Sequence, residues 1–150
     1  MQVKSHPPMN VLYCSYQSSL QTIHDKVGTV ARELYAEAAR QHLLVTGPQY
    51  WFYYGMDGNP ETIFTLEIAV PVSGIPETNK QFLFKELPAF RCMSVVHEGA
   101  WSGLKQTYEK LIQEVTNQKL KMNGVSREMY INVDFSRDEC NLTEVQLGIS

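Results

Sequence analysis

The stretch Ser126-Arg127-Glu128-Met129-Tyr130-Ile131-Asn132-Val133-Asp134-Phe135 alternates in character. Strand side chains point to opposite faces with period two. Met129, Ile131 and Val133 therefore form one apolar face, while Glu128, Tyr130 and Asn132 put an acid, a phenol and an amide on the other. The apolar face calls for helices behind it. The other face either meets water or lines a pocket.

The elements around this strand follow from pattern and turn chemistry. Before it, Lys80 to Leu87 and Ala89 to Glu98 read as strands broken by Pro88. A helix follows Gly99, with Leu104, Tyr108, Leu111, Ile112 and Val115 on its buried face, and Gly124 ends the segment after it. Beyond the strand, Ser136 to Glu139 is a turn and Asn141 to Ile149 a last strand. The first half has the same order. Val3 to Pro8 and Met9 to Gln17 are strands, and Ser18 to His24 is polar and irregular. Val27, Val30, Ala31, Leu34 and Ala38 then mark a helix with Asp25 as its N-cap, which Gly47-Pro48 stops. Gln49 to Gly55 and Glu61 to Val72 are strands around the turn Asp57-Gly58-Asn59-Pro60, and Gly74 to Asn79 connects the halves.

The similarity of the halves extends to register. Adding 77 carries Leu34 onto Leu111, Glu37 onto Glu114, Gln41 onto Gln118, Leu43 onto Leu120, Gly47 onto Gly124, Tyr53 onto Tyr130, Asp57 onto Asp134 and Glu67 onto Glu144. Before the helix the offset is closer to 81. A duplication is the economical explanation. The 150 residues form one domain of two repeats, approximately 1–75 and 80–150. The fold class is α+β. Two strand–helix–hairpin repeats make one curved antiparallel sheet, with two main helices on one face and a ligand groove on the other. In that groove Trp51 and Tyr53 from one repeat meet Glu128 and Tyr130 from the other, with Glu67 and Glu144 at its border. Aromatic faces attract cations. A carboxylate in an apolar wall is costly unless paired, a cost that a cationic ligand offsets. The alternative is solvated strand faces, with the two repeated glutamates bonded to backbone or to basic side chains.

Composition narrows the classes. A net charge of −3 argues against a nucleic-acid surface, which needs clustered Lys and Arg. No apolar run has membrane-spanning length. The cysteines Cys14, Cys92 and Cys140 have no metal-ligand spacing and read as free thiols of a reducing cytoplasm. His6, His24, His42 and His97 form no metal motif, and no phosphate loop, dinucleotide fingerprint or serine elbow occurs, so neither metal nor cofactor is expected.

Phe84-Lys85-Glu86-Leu87-Pro88-Ala89-Phe90, His97-Glu98-Gly99-Ala100-Trp101, Glu128-Met129-Tyr130-Ile131 and Leu142-Thr143-Glu144-Val145 occur in this order. The ordered set resembles the GyrI-like small-molecule-binding family, the effector-binding domain of bacterial multidrug-sensing transcription activators. The resemblance implies that Glu128 sits in a ligand pocket among aromatics, with Tyr130 beside it. It departs where the family has Pro and Tyr after the glycine; here Ala100 and Trp101 follow, and Trp101 either covers the pocket mouth or packs on the core as a helix-start residue. Activator relatives carry a DNA-binding helical segment ahead of the domain. Only a few residues precede the first strand here, so direct nucleic-acid binding is not expected. Three readings stay open. One is a sensor or sequestering protein for hydrophobic, cationic, drug-like molecules. The second is a hydrolase of cyclopropanoid or similar strained electrophiles, with Glu128 and Tyr130 as its catalytic pair. The third is a module that binds a protein such as gyrase or a regulator.

Overall fold

The computed structural model describes residues 1–23 and 29–150. Asp25 and Val27, read above as part of the first helix, lie outside the described residues. The strands are β1 (Gln2–His6), β2 (Met9–Ser18), β3 (Leu44–Val45), β4 (Tyr50–Tyr54), β5 (Phe64–Ser73), β6 (Leu83–Leu87), β7 (Phe90–Glu98), β8 (Met122–Asn132) and β9 (Leu142–Ile149). The main helices are α1 (Val30–Arg40) and α2 (Leu104–Asn117). All strand pairs are antiparallel, and the sheet runs β1-β7-β9-β8-β4-β5-β2-β6, with β3 beside β5. The architecture is the expected α+β one.

The duplication is visible in the pairing. Tyr50 opposes Ala69 as Arg127 opposes Gln146, and Val11 opposes Pro71 as Cys92 opposes Gly148. At the centre of the sheet β4 meets β8, and Trp51 lies opposite Glu128. These two are repeat equivalents, so the pseudo-two-fold axis passes between them. The outermost strands are exchanged: β1 of the first half pairs with β7 of the second, and β6 of the second with β2 of the first.

That exchange forces curvature. β1 and β2 stand six strand spacings apart in the sheet order, about 29 Å if the sheet were flat. Only Pro7 and Pro8 join them, and the three Cα steps from His6 to Met9 span at most about 11 Å. Pro88 and Ala89 impose the same limit between β6 and β7. The sheet therefore curls until its ends approach. Inside the curl, Val11, Tyr50, Phe52, Ala69 and Leu87 form a buried cluster, with Met129 against it. Arg127, 5% exposed, stacks its guanidinium over the rings of Phe90 and Phe52 at 3.7 and 5.1 Å.

Both helices lie on the outer face. Leu34 and Ala38 of α1 pack with Leu12, Cys14, Leu66, Ile68 and Val70. Leu111 and Val115 of α2 pack with Met93, Val145, Leu147 and Ile149. Each helix covers the outer strands of its own repeat and leaves the central β4–β8 pair between the two.

Several expectations need correction. Met129, Ile131 and Val133 are not beneath the helices: Met129 faces into the curl, and Ile131 and Val133 are 46% and 40% exposed. Ile112, placed on the buried face of its helix, is 40% exposed. Gly47-Pro48 does not stop α1. α1 ends at Arg40 with Gln41 as its C-cap, and His42 just past the cap has φ 56°, with Leu43 N–H bonded to Ala38 O; Lys119, also at φ 56°, follows the α2 cap Gln118 in the same way, with Leu120 N–H bonded to Val115 O. This is the Schellman pattern made by non-glycine residues at equivalent repeat positions. Gly124 lies within β8, next to an irregularity in its pairing with β9.

Candidate functional site

Glu128 and Tyr130 are on the helix side of the sheet. They alternate in phase with Ser126 and oppose Val145 and Thr143 of β9, whereas Met129 and Arg127 oppose Glu144 and Gln146 on the inner side. The groove was expected on the face away from the helices. The structure instead places Trp51, Tyr53, Glu128 and Tyr130 on the floor between them. Alternation along a strand separates two faces without saying which one a helix takes; the curl decides that here.

Glu128 is 5% exposed. Its Oε2 accepts hydrogen bonds from Tyr130 Oη at 2.5 Å and Tyr53 Oη at 3.1 Å, and its Oε1 accepts one from Tyr108 Oη at 2.9 Å. Tyr108 comes from α2. Reading it as a core residue overlooked this role, although a phenol in an otherwise aliphatic helix stripe signals a hydroxyl that needs a buried partner. Among the described residues no basic side chain stands within ion-pair distance of Glu128. Burial pushes its carboxyl pKa up, and the three phenols pull it only part of the way back. The same burial, with the carboxylate beside them, raises all three phenols well above the ordinary tyrosine value.

Aromatic rings close over the acid. Trp51 and Trp101 each stand edge-on to Tyr130 at 5.7 Å, and Phe135 stands edge-on to Trp101 at 6.2 Å. Trp51 Nε1 donates to Gln49 Oε1, and Gln49 Nε2 donates to Ala31 O of α1, so the indole is tied to the first helix. Trp101 Nε1 donates to Thr143 Oγ1. Trp101 sits in a short 3-10 turn that leads into α2. His97 fixes that turn: its ring nitrogens bond Thr107 Oγ1 at 2.7 Å and Ala100 O at 2.8 Å.

Glu67 and Glu144 do not border this site. They lie on the inner face, opposite Phe52 and Met129. Lys85 Nζ donates to Glu67 at 2.6 Å, and Lys4 Nζ donates to Glu144 at 2.5 Å. Lys4 and Lys85 are themselves equivalent under the offset of 81 and sit on the two exchanged strands. The duplicated ion pair thus stitches each exchanged strand to the opposite half. No group of residues suited to a metal ion occurs among the described residues, and none of their helices is long and apolar enough to cross a membrane.

The model of the GyrI-like small molecule binding domain matches residues 1–150. The chain belongs to the GyrI-like family. This GyrI-like chain is similar to the C-terminal domain of EcmrR, with a TM-score of 0.81, 21% identity and coverage of 99% of this chain and 96% of that one. Against EcmrR in its DNA complex with RPo the TM-score and identity are the same, but the match spans 56% of that chain. SAV2435, solved bound to tetraphenylphosphonium, matches with a TM-score of 0.63 and 14% identity over 99% of this chain and 93% of that one. A hydrolase encoded by lin2189 from Listeria innocua matches at 0.71 and 13% over 99% and 91%. At these identities the likeness is one of fold. No curated protein matches the chain. Small-molecule binding is therefore the family's property, and the cluster of one acid, three phenols and two indoles is the candidate site for it.

Proposed function

We propose that this GyrI-like domain binds hydrophobic cations, with Glu128 as the charge partner and Trp51, Tyr130 and Trp101 as aromatic walls, and acts as a sensor or sequestering protein for drug-like molecules. One observation carries the reading: among the described residues, a carboxylate buried beneath aromatic rings has only phenol hydroxyls for hydrogen-bond partners. Phenols solvate the acid without neutralising it, and an uncompensated buried charge costs several kcal/mol. A lipophilic cation restores neutrality, and its apolar body meets rings that bind cations at about 0.5–2 kcal/mol per face. The tyrosines hold the carboxylate in the free protein; Tyr130 and Trp101 turn aside to admit the ligand. Tetraphenylphosphonium, the ligand in SAV2435, has this chemistry.

Tryptophan fluorescence titration with tetraphenylphosphonium and with neutral triphenylphosphine oxide tests the reading. Glu128→Gln is expected to weaken the cation by about tenfold or more, equivalent to about 1.4 kcal/mol, and to leave the neutral compound nearly unchanged. Equal losses for both would reject the charge role.

The raised carboxyl, with Tyr130 Oη at 2.5 Å, also suits proton transfer to or from a strained electrophile. Under that second reading, a cyclopropanoid substrate incubated with the protein yields a water adduct by mass spectrometry, and Glu128→Gln abolishes it.

A further inference from the structure

The hairpin between β8 and β9 builds a second feature next to the buried acid. Asp134, Phe135 and Asp138 from the hairpin, together with Trp101 and Ser102 ahead of α2, line a hollow of about 510 Å³ that opens to solvent. Three properties set it apart from ordinary loop surface. Phe135 is 89% exposed, yet its ring stands at an organised edge-on distance from Trp101. Among the described residues the hollow is lined by two carboxylates and by no basic side chain. Asp134 accepts the Ser136 and Arg137 amides on Oδ1 alone, and the Asp138 carboxylate makes no bond to another described residue. Finally, a relay of side-chain contacts links the hollow to the buried acid: Phe135 stands against Trp101, Trp101 against Tyr130, and Tyr130 bonds Glu128.

We propose that this hollow is an outer docking site for the same class of hydrophobic monocation, a vestibule in which Phe135 and Trp101 hold the apolar body and Asp134 and Asp138 supply the attracting charge before the ligand passes inward. The proposal rests on the Glu128 reading. The buried site is closed by its own rings, so encounter and entry are separate events. Charges at an open rim raise the encounter rate, whereas the buried contacts set the residence time. The occupant follows from the lining: flat apolar surface excludes hydrated inorganic cations, and the acids repel anionic amphiphiles.

Stopped-flow tryptophan fluorescence with tetraphenylphosphonium separates the steps. The double variant Phe135→Ser with Asp138→Asn alters exposed side chains and spares Trp101 and the groups bonded to Glu128. At low salt its association rate constant is expected to fall by about tenfold, with the dissociation rate constant unchanged and the salt dependence of association flattened. An association rate within about twofold of wild type, with equilibrium binding intact, overturns the vestibule and leaves the Glu128 site standing. A faster dissociation with unchanged association places Phe135 in the final bound pose and also overturns it. Absence of any binding by the wild type removes the Glu128 reading, and the vestibule falls with it.

Discussion

Glu128 is held at the expense of stability, and the direction of that effect is measurable. Its carboxyl pKa in the folded chain is raised above the ordinary 4.5 by burial. A raised carboxyl means that the fold favours the neutral form. The contribution to stability is therefore complete below the unfolded-state value and is lost as pH rises through the folded value. At neutral pH the chain carries this loss, and an uncharged isostere escapes it. Glu128→Gln is expected to raise the melting temperature at pH 7 by about 2–4 °C, the shift that 1 kcal/mol gives a chain of this size. The gain should vanish below pH 4.5. Differential scanning fluorimetry across pH checks both points; a lower melting temperature for the variant at pH 7 would show that the three phenols compensate the charge fully. That Glu128 and Tyr130 share a face was legible in one strand, because side chains two residues apart point the same way. Tyr108 was not, because its hydroxyl becomes informative only once α2 is laid over that strand.

Strands and helices were read well where pattern alone decides them, and less well where backbone conformation does. The repeat register survived from Tyr50↔Ala69 through Tyr53↔Leu66 and from Arg127↔Gln146 through Tyr130↔Thr143, since the offset of 77 preserves the alternation; it slips by one only at Asn132↔Leu142. The helix ends were misjudged because His42 and Lys119 adopt positive φ without being glycine. A side chain in the left-handed region costs roughly 1–2 kcal/mol, part of which glycine returns as chain entropy in the unfolded state. Lys119 is exposed, so Lys119→Gly should stabilise the chain by about 0.5–1 kcal/mol, seen as a higher urea midpoint with an unchanged slope. A loss of stability would mean that the lysine has a role its contacts do not reveal. The side of the sheet that the helices take was not legible in β8, because Met129 is partly buried on either assignment. The information sits instead in the two proline links, whose shortness requires the curl.

Across the whole molecule, the exchanged edge strands make the repeats interdependent. β1 covers the edge of β7 and delivers Lys4 to Glu144, while β6 covers β2 and delivers Lys85 to Glu67. Lys4→Met strips a buried acid of its cation and should cost about 1–3 kcal/mol. Removing residues 1–6 goes further, because it also bares a long strand edge that another chain can pair with. The truncated chain should lose more stability than the point variant and should associate in sedimentation velocity. Stability equal to that of Lys4→Met, with no association, would reduce the exchange to a single ion pair. The pseudo-two-fold axis, for its part, runs between Trp51 and Glu128. Two identical copies of one half would set the same residue against itself there, either a pair of acids repelling each other or a pair of indoles with no charge to offer. A lone negative charge facing an aromatic plane is open only to two sequences that have diverged. Carrying both halves in one chain fixes their one-to-one ratio, so every molecule sets a single acid against a single indole at its axis.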